Sequence, residues 1–236
     1  MKPRNRSTEW KPSKSLGQNF LQDENVAQKI VDLSEVQPDE TVLEVGPGRR
    51  ALTRIIAEKA SSVVAVEIDP TLATNMRKGS ASNVEIVETD ILRLALAARG
   101  PEHGVKRWPL ARNLPSVISS RPAMRFVEQA RFIDRATLMV QREVGERYLA
   151  PPGSRKYGLL SVLLQATGTL ETGFRVSATS FKPKPSVESI VLTWKSDPPE
   201  DLEIGPLIIT AKVAFAQRRK QLGNALRGLP AANEAL

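Results

Sequence analysis

The sequence predicts an α/β fold built on a doubly wound, mostly parallel sheet, and two observations support this fold class. From Thr41 onward, buried strands alternate with amphipathic helices, the order that places helices on both faces of a parallel sheet. Near the end, runs of alternating apolar and polar residues over 173–181 and 186–195 suggest a closing antiparallel pair. The 236 residues are 41% hydrophobic, so the chain can bury a substantial core.

The elements of the first half follow one another with short connections. Asp23 predicts the N-cap of a first helix that runs to about Ser34. The alternation then continues through strand TVLEVG (41–46), helix ALTRIIAEKA (51–60), strand SVVAVEI (62–68), helix TLATNMRK (71–78) and strand NVEIVETD (83–90).

The second half predicts a fourth strand that leads into Asn113, and further elements before the antiparallel pair. These are an amphipathic helix over 121–132, a fifth strand over 136–144 and a helix over 157–168. One more helical stretch, rich in Lys and Arg, covers roughly 205–226. The sequence thus predicts three parts, namely a basic N-terminal arm (1–15), the sheet domain (16–195) and a short helical C-terminal part (196–236).

The composition excludes several kinds of site. There is no cysteine, which rules out disulfides and cysteine-ligated metals, and the single histidine, His103, rules out multi-histidine metal centres. The 34 Lys and Arg residues against 26 Asp and Glu give a net charge of +8, which favours a polyanionic partner. No apolar run is long enough for a membrane span, and the basic N-terminus lacks the apolar stretch of a secretory signal. We therefore expect a cytoplasmic protein.

The glycines at the end of the first strand of the sheet predict a nucleotide site. Gly46 and Gly48 let a ligand approach the backbone, and the next helix presents free N–H groups. Glu67, 21 residues beyond Gly46, ends the second strand, where a carboxylate can accept both hydroxyls of a ribose. Asp90 ends the third strand, where it can accept from an adenine amine. Because the carboxyl ends of parallel strands share one edge, these residues predict an adenosine site.

The adenosine could belong to NAD or to S-adenosylmethionine. A dinucleotide loop needs a third glycine, whereas residues 49–51 are Arg-Arg-Ala, so the phosphate-binding geometry is incomplete. S-adenosylmethionine carries no phosphate, and the acid that precedes the loop, Glu44, suits a ligand with an ammonium group. The glycine pair taken alone also fits an ordinary tight turn.

Asn113, Leu114, Pro115 and Ser116 follow the fourth strand and predict a site for methylating a base amine. Such an amine is a poor nucleophile because its lone pair is delocalised into the ring. The Asn113 side-chain oxygen and the Leu114 carbonyl can both accept from the amine and aim its lone pair at a methyl donor. Pro115 fixes the backbone that presents this carbonyl, and an aromatic residue at the fourth position would stack on the flipped base.

Seven segments of the sequence resemble the KsgA family, the small-subunit ribosomal RNA adenine N6,N6-dimethyltransferases. They are SLGQNFLQD (15–23), LEVGPGRRALT (43–53), VVAVEID (63–69), NLPSVISS (113–120), VQREVGERYLAPPGSRKYGLLSVL (140–163), FKPKPSVES (181–189) and FAQRRKQLGNAL (215–226). The resemblance implies a Rossmann-like S-adenosylmethionine-dependent methyltransferase sheet with a truncated helical C-terminal extension. It also implies N6-dimethylation of adenines in small-subunit (16S) rRNA during ribosome biogenesis, with the small-subunit precursor as partner. Nothing in the sequence suggests more than a monomer.

The resemblance also assigns cofactor-binding roles to particular residues. It implies that Asn19 and Leu21 line the S-adenosylmethionine pocket and that Gly46 belongs to the glycine loop. It further implies that Glu67 binds the ribose and that Asp90 binds the adenine.

For the target base, the resemblance implies that Asn113 is shared between the cofactor and the amine, with Leu114 and Pro115 beside it. It places Phe181 next to the target adenine, although the sequence alone fits a core aromatic residue at least as well. Residues 218–220 (Arg-Arg-Lys) and Arg227 would face rRNA, and a solvated helix face fits them equally.

Three departures from the family pattern leave alternatives open. Ser116 stands where the family usually has an aromatic residue, Arg49 and Arg50 replace small or apolar residues in the cofactor loop, and most of the family's C-terminal helical domain is absent. An arginine in that loop must point outward or intrude on the pocket. The alternatives are a catalytically weakened rRNA-binding assembly factor and an Erm-type methyltransferase of large-subunit rRNA, against which QRRKQLGNAL weighs.

Overall fold

The computed structural model describes residues 18–113, 120–216 and 221–227. In that part of the chain the strands are β1 (Phe20–Leu21), β2 (Thr41–Val45), β3 (Ser62–Glu67), β4 (Val84–Glu88), β5 (Trp108–Asn113), β6 (Ile133–Gln141), β7 (Gly168–Val176), β8 (Phe181–Lys182) and β9 (Ser189–Ser196). The helices are α1 (Glu24–Leu33), α2 (Thr53–Lys59), α3 (Pro70–Arg77), α4 (Leu96–Arg99), α5 (Ser120–Glu128), α6 (Arg142–Tyr148), α7 (Leu159–Ala166), α8 (Ile204–Ala216) and α9 (Leu222–Leu226).

The described strands form a seven-stranded sheet in the order β4-β3-β2-β5-β6-β9-β7 and a two-stranded ribbon of β1 and β8. The pairs from β4 to β6 are parallel, while β9 is antiparallel to both β6 and β7. This confirms the predicted parallel sheet and its closing antiparallel pair. The chain moves outward from β2 to β4 and then crosses back to β5, so the strand order reverses between β2 and β5.

The two faces of the sheet carry two apolar cores. Leu110 and Leu138 belong to the core that includes Phe126 of α5, whereas Ala111 and Met139 belong to the core that includes Ile56 of α2. Neighbouring residues of β5 and β6 thus enter opposite cores, because successive side chains of a strand point to opposite faces. Burial on both faces explains why these strands are nearly continuous apolar runs.

The first helix and the C-terminal helices show how local signals and packing act together. Asp23 caps α1 as predicted, with Oδ1 accepting from the backbone N–H of Asn25 at 3.1 Å and of Val26 at 3.2 Å. The predicted stretch 205–226 is two helices, because Gln221 is extended (φ −59°, ψ 143°) at the start of α9. Ile208 of α8 is buried in the core of the sheet.

Several boundaries differ from the prediction. The predicted strand 136–144 ends at Gln141 and continues as α6, and its pattern hid the change because an apolar run fits a strand or a buried helix alike. β7 begins at Gly168, five residues before the predicted run (173 minus 168), and the β1–β8 ribbon was not predicted. In the part of the chain described, no helix combines the length and apolar character that a bilayer span requires.

The packing of α6 on β9 gives a test of the fold. A Cβ at Gly145 in α6 would lie 2.3 Å from Cγ2 of Ile190 and 3.3 Å from Cγ2 of Val140. We expect Gly145→Ala to lower the free energy of unfolding by about 1–3 kcal/mol, because buried branched side chains cannot move aside cheaply. Gly205→Ala in α8 is the control, since its Cβ would meet no described atom within 4 Å. Urea unfolding of both variants measures the difference, and equal stability would contradict the packing.

Candidate functional site

A cavity of about 210 Å³ opens at the carboxyl edge of the sheet, beside the point where the strand order reverses. Open α/β sheets bind their ligands at this point. Five of the six cofactor residues predicted from sequence line this cavity, namely Asn19, Leu21, Gly46, Glu67 and Asp90. The structure therefore brings them together from separate segments of the chain.

The loop after β2 has a backbone conformation that requires its glycines. Gly46 and Gly48 have φ values of +72° and +55°, where a Cβ would strain the backbone. The Gly46 N–H donates to the Val66 carbonyl at 2.9 Å, which fastens the loop to β3. A Cβ at Gly48 would also lie 3.0 Å from Cδ1 of Phe20. Position 48 thus needs glycine both for its φ and for the close approach of the β1 segment.

Glu67 ties this loop to the end of β3. Its side chain is buried, with Oε2 accepting from the Gly48 N–H at 3.1 Å and Oε1 accepting from the Asp69 N–H at 3.0 Å. Burial raises the pKa of Glu67, and these backbone N–H groups oppose the rise because they stabilise the ionised carboxylate. Each oxygen keeps a further lone pair, so the side chain can still accept the hydroxyls of a ribose.

Asp69 positions the segment that carries Asn19 and Leu21. Its Oδ1 caps α3 by accepting from the Thr71 N–H at 2.9 Å, and its Oδ2 accepts from Nε2 of Gln18 at 2.9 Å. On the other side of the segment, Leu21 pairs with Phe181 in the β1–β8 ribbon. Sequence reasoning missed Asp69, although an acid directly before a proline is a typical start of a helix.

Asp90 lines the cavity at the end of β4. It caps a short 3-10 turn over Ile91–Arg93, with Oδ1 accepting from the Leu92 N–H at 2.9 Å. No hydrogen bond among the described residues reaches its Oδ2. That oxygen is available to a ligand amine, and the adenine-binding role of Asp90 stays a prediction.

Asn113 lies at the same edge of the sheet. It is the last residue of β5 and pairs in register with Met139 of β6. Its side chain and residues 114–116 lie outside the described residues, as do 1–15 and 218–220. The roles assigned to Asn113, Leu114, Pro115 and Ser116 stay predictions, as does RNA contact by the exposed Arg227.

Phe181 lies apart from the cavity in this structure. It is 4% exposed, belongs to the same core as Leu21 and Val191, and is absent from the residues that line the cavity. Its place matches the core aromatic residue that the sequence alone also allowed. A role beside the target adenine stays a prediction.

The two arginines of the cofactor loop take different paths. Arg50 is left-handed at φ +67°, and its Nη1 donates to the Gly79 carbonyl, so its side chain points outward. Arg49 borders the cavity, where its guanidinium carbon lies 5.0 Å from the centre of the Phe20 ring, within the range of a cation–π contact. The sequence left open whether an arginine in this loop points outward or intrudes on the cavity. Arg50 points outward, whereas Arg49 forms part of the cavity wall.

Glu44 does not face the cavity, contrary to the expectation that it suits a ligand ammonium. It is fully buried in β2, and neither carboxylate oxygen has a hydrogen-bond partner among the described residues. Burial raises the pKa of Glu44 to about 8, and the charge on Glu67 adds to this rise. The Thr53 hydroxyl opposes it, although its oxygen is not within hydrogen-bond geometry of the carboxylate. The carboxyl is therefore mostly protonated at neutral pH and supplies no charge to a ligand.

Sequence reasoning also missed Arg112, which lines the cavity one residue before Asn113. The signal was present as a single charged residue inside an otherwise apolar strand, and a buried charge of this kind is rare unless it is paired.

Comparisons with known proteins agree with the family resemblance seen in the sequence. The sequence matches the family described as ribosomal RNA adenine dimethylase over residues 10–235. It is 39% identical to a protein named ribosomal RNA small subunit methyltransferase A from Geobacter metallireducens, over 94% of this chain and 84% of the relative. The structure resembles a dimethyladenosine transferase from Plasmodium falciparum, with a TM-score of 0.73 and 22% identity over 91% of this chain and 77% of that one. It also resembles the 23S rRNA methyltransferase ErmE, with a TM-score of 0.71 and 27% identity over 90% and 85% of the two chains.

The buried carboxyl of Glu44 predicts a specific dependence of stability on pH. The native state keeps a proton that the unfolded chain releases above about pH 4.5, so Glu44 lowers the free energy of unfolding as the pH rises from about 5 to 8. Glu44→Gln removes this contribution. We expect the variant to gain stability over the native chain, by on the order of 1 kcal/mol or more, and the gain to be larger at pH 8 than at pH 5.

Urea unfolding without ligand at the two pH values measures this gain. Glu58→Gln, at an exposed position of α2, controls for the loss of an acid at the surface. A gain that is the same at both pH values would show that Glu44 is ionised in the native state.

Proposed function

This chain belongs to the ribosomal RNA adenine dimethylase family, and we propose that it transfers methyl groups from S-adenosylmethionine to the N6 amines of adenines in small-subunit ribosomal RNA. Family membership confirms the predicted resemblance, the methyltransferase class and the cofactor. The observation that carries the proposal is the meeting of Gly46, Glu67 and Asp90 in one cavity beside the end of β5.

The residues around the cavity fit S-adenosylmethionine, which would supply a methyl group on a sulfonium. The positive-φ glycines Gly46 and Gly48 let the ligand lie against backbone. Glu67 would accept the ribose hydroxyls while its backbone contacts hold it in place. Asp90 would accept the adenine amine through Oδ2, and Asn19 would close the pocket from the β1 segment.

The target amine would bind where β5 ends. The side-chain oxygen of Asn113 and the carbonyl of Leu114 would accept its two hydrogens, so that its lone pair points at the methyl group. Pro115 would fix that carbonyl, and Phe181 would reach the base only by leaving the core in which it is buried. After transfer the amine nitrogen would lose a proton to solvent, which requires no general base.

A second candidate is an rRNA-binding assembly factor that turns over poorly. Arg49 in the cavity wall favours it, because this arginine borders the space that the cofactor would fill. The serine at position 116, in place of an aromatic residue, also favours it, because stacking on the base would be weaker.

The proposal also takes the chain to be a cytoplasmic monomer. Its arm, sheet domain and helical part are divided at about residues 15 and 195.

The role of Glu67 can be tested by binding alone. Glu67→Ala should weaken S-adenosylmethionine binding by about 1–3 kcal/mol, because the charge-assisted hydrogen bonds to the ribose are lost. Arg50→Gly should change the affinity by less than about twofold, because Arg50 points outward and glycine adopts its φ without strain. Titration calorimetry on both folded variants checks this, and an unchanged affinity in Glu67→Ala would remove Glu67 from the site.

Methyl transfer tests the proposed reaction. Purified small ribosomal subunits that lack the modification should gain N6-methylated adenine in small-subunit rRNA when incubated with the chain and labelled cofactor. Asn113→Ala should abolish transfer, because the target amine then lacks its side-chain acceptor. Ser116→Tyr should raise transfer roughly 5- to 150-fold, the gain expected from one base–aromatic stack.

The outcomes separate the candidates. Binding of cofactor and rRNA without transfer, in the native chain and in Ser116→Tyr, would favour the assembly factor. In a parallel incubation with unmodified large-subunit rRNA, label found there and not in the small subunits would favour the Erm-type reaction.

A further inference from the structure

The cavity wall carries a buried cation that the proposed reaction does not use. Arg112 is 2% exposed and is one of the largest fully buried side chains, and it lines the cavity. It directly precedes Asn113 at the end of β5. A guanidinium stays protonated in proteins and offers several N–H donors, so a buried one is stable only beside acceptors or an anion.

The neighbours of Arg112 among the described residues do not balance its charge. Its guanidinium carbon lies 5.9 Å from the centre of the Phe126 ring, and its Nε has no hydrogen-bond partner in that part of the chain. Desolvation lowers the pKa of Arg112 to about 10, and the group that opposes this shift is Tyr148. Burial raises the pKa of Tyr148 to about 12, so its phenol is neutral at pH 7 and supplies no negative charge.

The acid on the neighbouring strand cannot pair with Arg112 either. Arg112 lies in register with Val45, whereas Glu44 lies in register with Ala111. Successive side chains of a strand point to opposite faces, so the side chains of Glu44 and Arg112 lie on opposite faces of the sheet. A ligand in the cavity is therefore the remaining source of a negative charge for Arg112 within the described structure.

The other charged residues of the cavity indicate what such a ligand contains. Arg49 and Arg121 also line the cavity, together with the acids Glu67 and Asp90. The proposed function gives these two acids the hydroxyls and the amine of an adenosine. A ligand that matches the whole cavity thus combines an adenosine with a negative charge. S-adenosylmethionine instead carries a sulfonium on the 5′ carbon of its ribose.

The strand order determines where that negative charge would lie. Asp90 follows β4, Glu67 ends β3 and Arg112 lies in β5, with β2 between the last two strands. Three strand spacings of about 4.8 Å separate β4 from β5, or roughly 14 Å, and an adenine, a ribose and one phosphate can span this distance. With the adenine at Asp90 and the ribose at Glu67, the group on the 5′ carbon points toward β2 and β5.

We propose that the cavity also binds free adenosine 5′-phosphates, that Arg112 binds their phosphate, and that they compete there with S-adenosylmethionine. This inference rests on the proposed function for the adenosine contacts of Glu67 and Asp90. A guanidinium binds a phosphate through two parallel N–H···O hydrogen bonds, which burial strengthens. Because an arginine supplies these donors, the phosphate does not need the third glycine that the loop after β2 lacks.

Titration calorimetry with adenosine and with adenosine 5′-monophosphate tests this without methyl transfer. The two ligands differ only in the phosphate, so the ratio of their dissociation constants isolates its contribution. We expect the native chain to bind the monophosphate at least about tenfold more tightly than adenosine, the gain from one charge-assisted contact. The monophosphate should also raise the apparent dissociation constant of S-adenosylmethionine in proportion to its concentration.

Three variants assign the effect to one side chain. Arg112→Met removes the charge from the buried position and should bring the two affinities to within about twofold of each other. Arg112→Lys keeps a positive charge and should keep the monophosphate the tighter ligand. Arg93→Met is the matched control, because Arg93 is exposed and follows Leu92 of the cavity without lining it, and it should leave the ratio unchanged within about twofold. Circular dichroism checks that each variant is folded.

Each outcome has a distinct meaning. A native chain that binds the monophosphate no more tightly than adenosine would overturn the inference, and S-adenosylmethionine binding in the same chain would leave the proposed function intact. A preference for the monophosphate that survives Arg112→Met, or that leaves S-adenosylmethionine binding unaffected, would place the phosphate elsewhere and overturn the inference too. If the monophosphate binds through Arg112 but S-adenosylmethionine does not bind, the proposed function fails and the nucleotide site stands.

Discussion

The carboxylate of Glu67 is the contact on which the cavity depends. It accepts from the backbone of the glycine loop through one oxygen and from the backbone that follows β3 through the other. Asp69, the second of these donors, is itself held by Gln18 and caps α3. Glu67 and Asp69 together thereby hold the glycine loop after β2, the end of β3 and the β1 segment at fixed distances from one another. A ligand that engages Glu67 meets a site whose geometry is already set, which lowers the entropic cost of binding.

Much of this arrangement could be predicted from the sequence, because it depends on chain order and periodicity. The alternation of strands and helices from Thr41 implies a parallel sheet, and the shared edge of such a sheet places Gly46, Glu67 and Asp90 together. The boundary at Gln141 could not be predicted, because an apolar run carries the same pattern in a strand and in the helix that follows it. The β1–β8 ribbon was hidden for another reason, since its pairing joins segments 160 residues apart (Leu21 and Phe181).

The face of the sheet to which a buried side chain points was harder to predict than the strand that carries it. Glu44 and Arg112 both lie near the carboxyl edge, one as a strand acid and one as a strand base, and a pattern of residue types suggests that they could pair. The two side chains lie on opposite faces of the sheet and cannot pair. Glu44 faces the core that includes α2, while Arg112 faces the core that includes α5. Only the register of β2 against β5 contains that information, and it is a tertiary property.

Two neighbouring acids at the same edge therefore respond differently to burial. The carboxylate oxygens of Glu44 have no hydrogen-bond partner among the described residues, and burial raises the pKa of Glu44 to about 8. Glu67 is almost as buried, and burial raises its pKa too, but the backbone N–H groups of Gly48 and Asp69 oppose that rise because they stabilise the ionised form. Because Glu67 lines the cavity and Glu44 does not, a ligand there meets the oxygens of Glu67. Arg112 lines the same cavity, where it is shielded from solvent and its Nε has no hydrogen-bond partner among the described residues.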